Sequence, residues 1–215
     1  MVPGRPGPRP PMVEPRRDSL VEATASGRIV RWLPNPDGDV DGLILDDGTQ
    51  VAFAPTQSAR LLAAFKLKDS MQVLGRHGSN AKVIRATQIK NTASGQALTL
   101  EAADAAGPPP RPPAPAAREA LTPMIANGRI ASLLFTDRGD ANGVLLENGE
   151  AVRFPPHVGA QLASDLKVGG TLYARGYGTQ GAQGASFEAT RIGSSESNAR
   201  DVFSAPPRPA DPSNR

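Results

Sequence analysis

Short stretches of alternating apolar and polar residues run along this chain, broken twice by a helical period. Residues 24–33 are rich in β-branched and apolar types and predict a long first strand. Leu43 and Leu45 point to one side of a second strand, and Asp46-Asp47-Gly48 predicts a tight hairpin after it. Val51 and Phe53 then share one face of a third strand. The period changes at Ala59, Leu61, Leu62 and Phe65, which fall at helical spacing behind Pro55-Thr56-Gln57-Ser58. Thr56 or Ser58 is the expected cap of that helix. A fourth strand is expected at residues 71–76 and a fifth ending at Ile89.

The same pattern returns 101 residues later. Gly27-Arg28-Ile29 recurs as Gly128-Arg129-Ile130, and Gly42-Leu43-Ile44-Leu45 as Gly143-Val144-Leu145-Leu146. Val51-Ala52-Phe53-Ala54-Pro55 recurs as Val152-Arg153-Phe154-Pro155-Pro156. Register holds without a gap from Gly27 to Gly78, with about a third of the aligned positions identical. After a two-residue slip, Ala86-Thr87-Gln88-Ile89 matches Ala189-Thr190-Arg191-Ile192. In the second copy Ala160, Leu162 and Leu166 mark the helix, and residues 172–177 the fourth strand.

Three strands, a helix and two more strands is the order of the OB barrel, which closes on itself and removes exposed edges. An SH3-like barrel is the competing architecture, and the position of the helix favours OB. The expected fold is therefore all-β with one short helix per domain, as two tandem five-stranded OB-type barrels. The expected organisation is a disordered tail at 1–21, barrels at 22–92 and 122–194, an Ala/Pro-rich linker at 93–121, and a disordered tail at 195–215. Pro108-Pro109-Pro110-Arg111-Pro112-Pro113-Ala114-Pro115 predicts a stiff polyproline II spacer. Residues 97–100 (Ala-Leu-Thr-Leu) form a candidate extra strand on the first copy.

Composition sharpens this picture. Gly and Pro number 22 each but cluster between the periodic segments, and apolar content is 39%. Two small cores fit that balance better than one large one. There is no cysteine, so disulfides and thiolate chemistry are excluded. No stretch has the length of a transmembrane helix and the first residues lead into no apolar core, so a cytoplasmic, non-membrane location is expected. Net charge is +3. Residues 22–92 hold nine basic and seven acidic residues, and residues 122–193 six of each, a balance that permits nucleic acid without demanding it.

The segment Gly27-Arg28-Ile29-Val30-Arg31-Trp32 resembles the first strand of the cold-shock domain, and the chain as a whole resembles tandem bacterial OB-fold proteins. Gly42-Leu43-Ile44-Leu45 and Val51-Ala52-Phe53 fall where the cold-shock family has its two aromatic RNA-binding strands. The cold-shock resemblance implies an OB barrel and single-stranded nucleic acid as ligand, whereas the wider OB-fold group implies the barrel and no particular ligand. It departs from the family at the chemistry, because aliphatic side chains stand where that family presents rings for base stacking.

In the second copy, Tyr173, Arg175 and Tyr177 alternate along the fourth strand, opposite Leu172 and Ala174. Arg153, between Val152 and Phe154, is also expected to point outward. Aromatic rings interleaved with guanidinium groups suit a sequence-tolerant single-strand site. An ordinary solvated barrel face, with tyrosines covering a neighbouring loop, explains the same residues. Arg31 and Trp32 are the parallel candidates in the first copy, where packing competes with stacking as the role of the indole.

Other motifs carry less. Asp37-Gly38-Asp39-Val40-Asp41-Gly42 imitates a calcium-loop opening but lacks the closing glutamate and the flanking helices, so it reads as a polar hairpin loop. His77 and His157 occupy non-equivalent positions and make neither a metal site nor a general base. Pro155-Pro156-His157 is expected to shape the start of the second helix. No nucleophile–base pair, carboxylate dyad or phosphate loop is present, so no enzyme, metal or cofactor is expected. The functional reading is a binding module for single-stranded RNA or DNA. A protein-interaction or scaffold role, through the barrels or the Pro-rich segments, is the alternative. The sequence does not specify oligomeric state.

Overall fold

A computed structural model describes residues 20–100 and 121–202. The proline-rich stretch 108–115 and the chain before residue 20 and after residue 202 lie outside the described residues.

The first barrel comprises β1 (Val21–Pro34), β2 (Val40–Leu45), β3 (Gln50–Ala52), α1 (Ser58–Ala64), β4 (Ser70–His77), β5 (Val83–Asn91) and β6 (Ala97–Thr99). Its length lets β1 serve two partners. Residues 21–28 pair with β4 and residues 29–34 with β2, with a register shift near the crossover. Strand β3 then pairs with β2 on one side and runs parallel to β5 on the other, which closes the five-stranded ring. The second barrel repeats this with β7 (Thr122–Phe135), β8 (Ala141–Leu146), β9 (Ala151–Arg153), α2 (Pro156–Gln161), β10 (Thr171–Gly181), β11 (Gly184–Gly193) and β12 (Arg200–Asp201). Both are OB barrels.

Inward positions follow the alternation. Ile29, Leu43, Leu45, Val51, Phe53, Leu61, Phe65, Val73 and Ile89 fill the first core. Ile130, Val144, Leu146, Val152, Phe154, Leu162, Leu166, Leu172 and Ile192 fill the second. Each such side chain contributes roughly 1.5–3 kcal/mol by leaving water. The helix faces differ in detail from expectation. Ala59 and Ala160 are exposed, and Leu61, Phe65, Val158 and Leu162 turn inward. Ser58 does not cap α1; its Oγ accepts a 2.9 Å bond from the Val40 amide and ties the helix to β2. The second helix starts at Pro156 behind an extended Pro155, where the missing amide costs nothing.

The repeat continues past the last matched residues. Leu100 N–H donates to Thr87 O, and Val202 N–H donates to Thr190 O, both at 2.8 Å. Leu100 and Val202 lie in the two cores, below β6 and β12. Residues 97–100 therefore pack on the first barrel, and residues 199–202, which fall within the expected tail 195–215, pack on the second.

The barrels meet through equivalent surfaces. Leu33 and Ile44 of the first pack with Leu134 and Leu145 of the second, and Ala151 completes this apolar cluster. Around it the loops cross over in a pseudo-two-fold arrangement. Gly38 lies against Thr179 and Gly139 against Asn80, with both glycines at positive φ (97° and 93°) in equivalent loops. Asn80 N–H donates to Asp137 O at 3.0 Å, and Arg85 Nη2 stands 2.9 Å from Asp137 Oδ2. The Gln50 side chain acts as a clamp, donating from Nε2 to Leu133 O at 2.7 Å and accepting at Oε1 from Phe135 N–H at 3.0 Å.

Candidate nucleic-acid interface

In OB barrels the face of the second and third strands is the common ligand surface. Here it forms the joint in both copies, because Ile44, Gln50, Leu145 and Ala151 point across it. The six residues singled out in sequence therefore land in three different environments.

Trp32 is 4% exposed and belongs to the first core. Arg31 reaches across the joint, its Nη1 3.4 Å from Gly149 O. Arg153 does point away from its own core, but into the joint, where Nη2 donates to Asp41 Oδ1 at 2.9 Å. Burial pushes the Asp41 carboxyl above its ordinary value, by more than the Arg153 guanidinium and the backbone and side-chain hydrogen bonds lower it. These three side chains hold the protein together rather than facing solvent.

Strand β10 is different. Its inward row, Leu172, Ala174, Gly176 and Gly178, is buried, and Arg175 and Tyr177 on the opposite side are exposed. Tyr173 shares their side but is only 7% exposed, with its hydroxyl 3.3 Å from Glu196 Oε1. The segment leading to β12 covers it. Tyr173 thus fulfils the loop-covering role, and Arg175 and Tyr177 remain open.

The surroundings extend this patch over three strands. Across from Arg175 lie Ile125 on β7 and Arg191 on β11; across from Tyr177 lie Pro123 and Glu188. Arg129, exposed and facing Thr171, continues the same row of β7. Arg191 is held by Asp201, at 3.2 Å, and by Ala199 O. Arg129 and Arg175 make no ion pair among the described residues. Tyr177 is 50% exposed and Ile125 59%. The patch therefore offers one open phenol ring, an apolar neighbour and two unneutralised guanidinium groups, opposed by Glu188.

Sequence reasoning missed Arg129 and Ile125 because they sit on the first strand. Only the cross-strand register brings them beside β10. The first barrel presents Glu22, Thr24, Leu74 and Arg76 at the equivalent places, with Glu22 directly opposite Arg76. Its face sets an acidic residue against a basic one at this place and carries no ring.

Among the described residues no three His, Cys, Asp or Glu side chains gather as metal ligands, and no helix is long and apolar enough to cross a membrane. No protein-family profile matches the chain, and no curated protein matches it. Two solved structures of the single-stranded DNA binding protein from Thermus aquaticus are similar to it. A deletion mutant shares 17% identity, with TM-score 0.24, over 88% of this chain and 98% of that one. The wild type shares 17% identity, with TM-score 0.25, over 91% and 99%. Strand order and closure, rather than this likeness, define the barrels as OB.

Proposed function

We propose that the chain is a non-enzymatic binding module whose second barrel holds single-stranded nucleic acid on the outer face of β7, β10 and β11. One observation carries this reading: the half-exposed ring of Tyr177 stands two residues from Arg175, which among the described residues makes no ion pair, on a sheet face that no other described element covers. A base can stack on the ring, and the guanidinium groups of Arg175 and Arg129 attract the phosphates on either side. Stacking tolerates any base and contributes about 1–3 kcal/mol each. The first barrel then acts as a support, burying the second barrel's other face.

Docking of a protein partner is the competing reading, favoured by the exposed Ile125 beside Pro123. Salt separates the two. Fluorescence anisotropy of a labelled single strand, titrated from low to physiological salt, should show affinity falling with a slope of about −1 to −2 on logarithmic axes, as two arginine–phosphate contacts require. Salt-independent binding, or none at low salt, counts against the nucleic-acid reading.

A further inference from the structure

The joint between the barrels does not close completely. Beside it lies a cleft of about 350 Å³, open to solvent. Its floor is the outward row of the first barrel, where Gly42 on β2 neighbours Ala52 on β3, followed by Arg85 on β5. The corresponding row of the second barrel pairs Gly143 with Arg153. The duplication thus offers two such places, and a large side chain fills one while alanine leaves the other as a trough. Phe135, Asp137, Asn142 and Arg153 of the second barrel form the facing wall.

Two ion pairs bridge the barrels at this cleft, Asp41 with Arg153 and Arg85 with Asp137, each at 2.9 Å. The site is neutral overall, yet guanidinium donors and carboxylate acceptors share one small space. An anionic ligand that opened either pair would satisfy the arginine and leave the carboxylate unpaired. An aliphatic one would meet none of these polar groups. The lining matches a flat, uncharged ring with donors and acceptors along its edge.

We propose that this cleft binds a nucleobase, guanine matching best. Guanine presents two acceptors, O6 and N7, on the edge that arginine recognises, and N–H donors on the adjoining edge suited to a carboxylate. The bare Gly42–Ala52 floor accommodates the ring plane, and the Phe135 ring supplies an aromatic wall. A free nucleoside and a base of a single strand bring the same chemistry; only the second form rests on the function proposed above.

The test titrates the full chain with guanosine, adenosine, cytidine and uridine by calorimetry, with a guanine-containing single strand run in parallel. Guanosine should bind saturably, and uridine at least fivefold more weakly. Ala52→Leu fills the trough at a strand position where the second barrel itself carries the larger Arg153, and a thermal melt confirms folding. It should weaken guanosine at least tenfold, whereas Leu74→Ala, on the outer face of the first barrel, should not. Loss of guanosine binding with oligonucleotide binding intact assigns the cleft to a free nucleoside; loss of both assigns it to a base of the strand. No saturable guanosine binding at millimolar concentration, or binding undiminished in Ala52→Leu, overturns the proposal whatever the oligonucleotide does.

Discussion

Asp41 on β2 and Arg153 on β9 meet at 2.9 Å across the joint between two copies of the same barrel, and the duplication gives this pair no twin. The equivalent positions hold Asn142 and Ala52. The apolar centre of the joint is nearly symmetric, with Leu33 and Ile44 against Leu134 and Leu145, whereas its polar rim is not. Apolar packing brings the faces together and the rim selects one alignment, as polar groups at interfaces commonly do.

The pair leaves a signature in pH dependence. Burial raises the Asp41 carboxyl above its ordinary value of 3.8, so between that value and the raised one the folded chain binds a proton that the unfolded chain has released. The contribution of Asp41 to stability is complete below the ordinary value and is lost as pH rises through the raised one. Urea midpoints of wild type and Asp41→Asn, compared across this window, should show the wild type losing stability relative to the variant as pH rises. A wild type that gains on the variant over that window would contradict the account.

Gln50 replaces a pair of backbone contacts with one side-chain amide. Gln50→Ala should cost about 1–2 kcal/mol and free the Phe135 amide, whose hydrogen exchange should quicken more than that of the two cores. Unchanged protection at Phe135 would show that the clamp is dispensable.

Gly176 and its counterpart Gly75 lie beside the bulges of β11 and β5, where an added Cβ would strike the carbonyl oxygens of Glu188 and Arg85 respectively. Gly176→Ala should lose about 3 kcal/mol or more, since backbone cannot move aside cheaply. At Gly181 nothing lies within 4 Å, and Gly181→Ala should stay within about 0.5 kcal/mol of wild type. Thermal melts of the two variants make the comparison.

Much of the fold was legible because the duplication states each strand twice. Equal spacing located the hairpins, the break in period located the helix, and their order implied closure. The joint was harder to read. Leu43-Ile44-Leu45 is apolar on both faces of one strand, the mark of a strand buried on both sides. Alternation explains only Leu43 and Leu45; Ile44 needed a second partner, which proved to be the other barrel. Arg153 was legible as outward-facing but not as paired, since Asp41 is 112 residues away. Tyr173 was placed on the right side of β10, yet its cover comes from residues beyond the matched repeat. In the patch itself, Arg175 and Tyr177 were visible by alternation, whereas Arg129 and Ile125 required the register of β7.

The most direct measurement is anisotropy of a labelled single-stranded oligonucleotide titrated at low salt with wild type, Tyr177→Ala and Arg175→Ala. Loss of the stacking ring should weaken binding by about 1–3 kcal/mol, at least about fivefold, and loss of the guanidinium should flatten the salt dependence by about one contact. Wild-type affinity in both variants, each with an unchanged melting temperature, would remove the β10 face as the site and with it the account of how these barrels work.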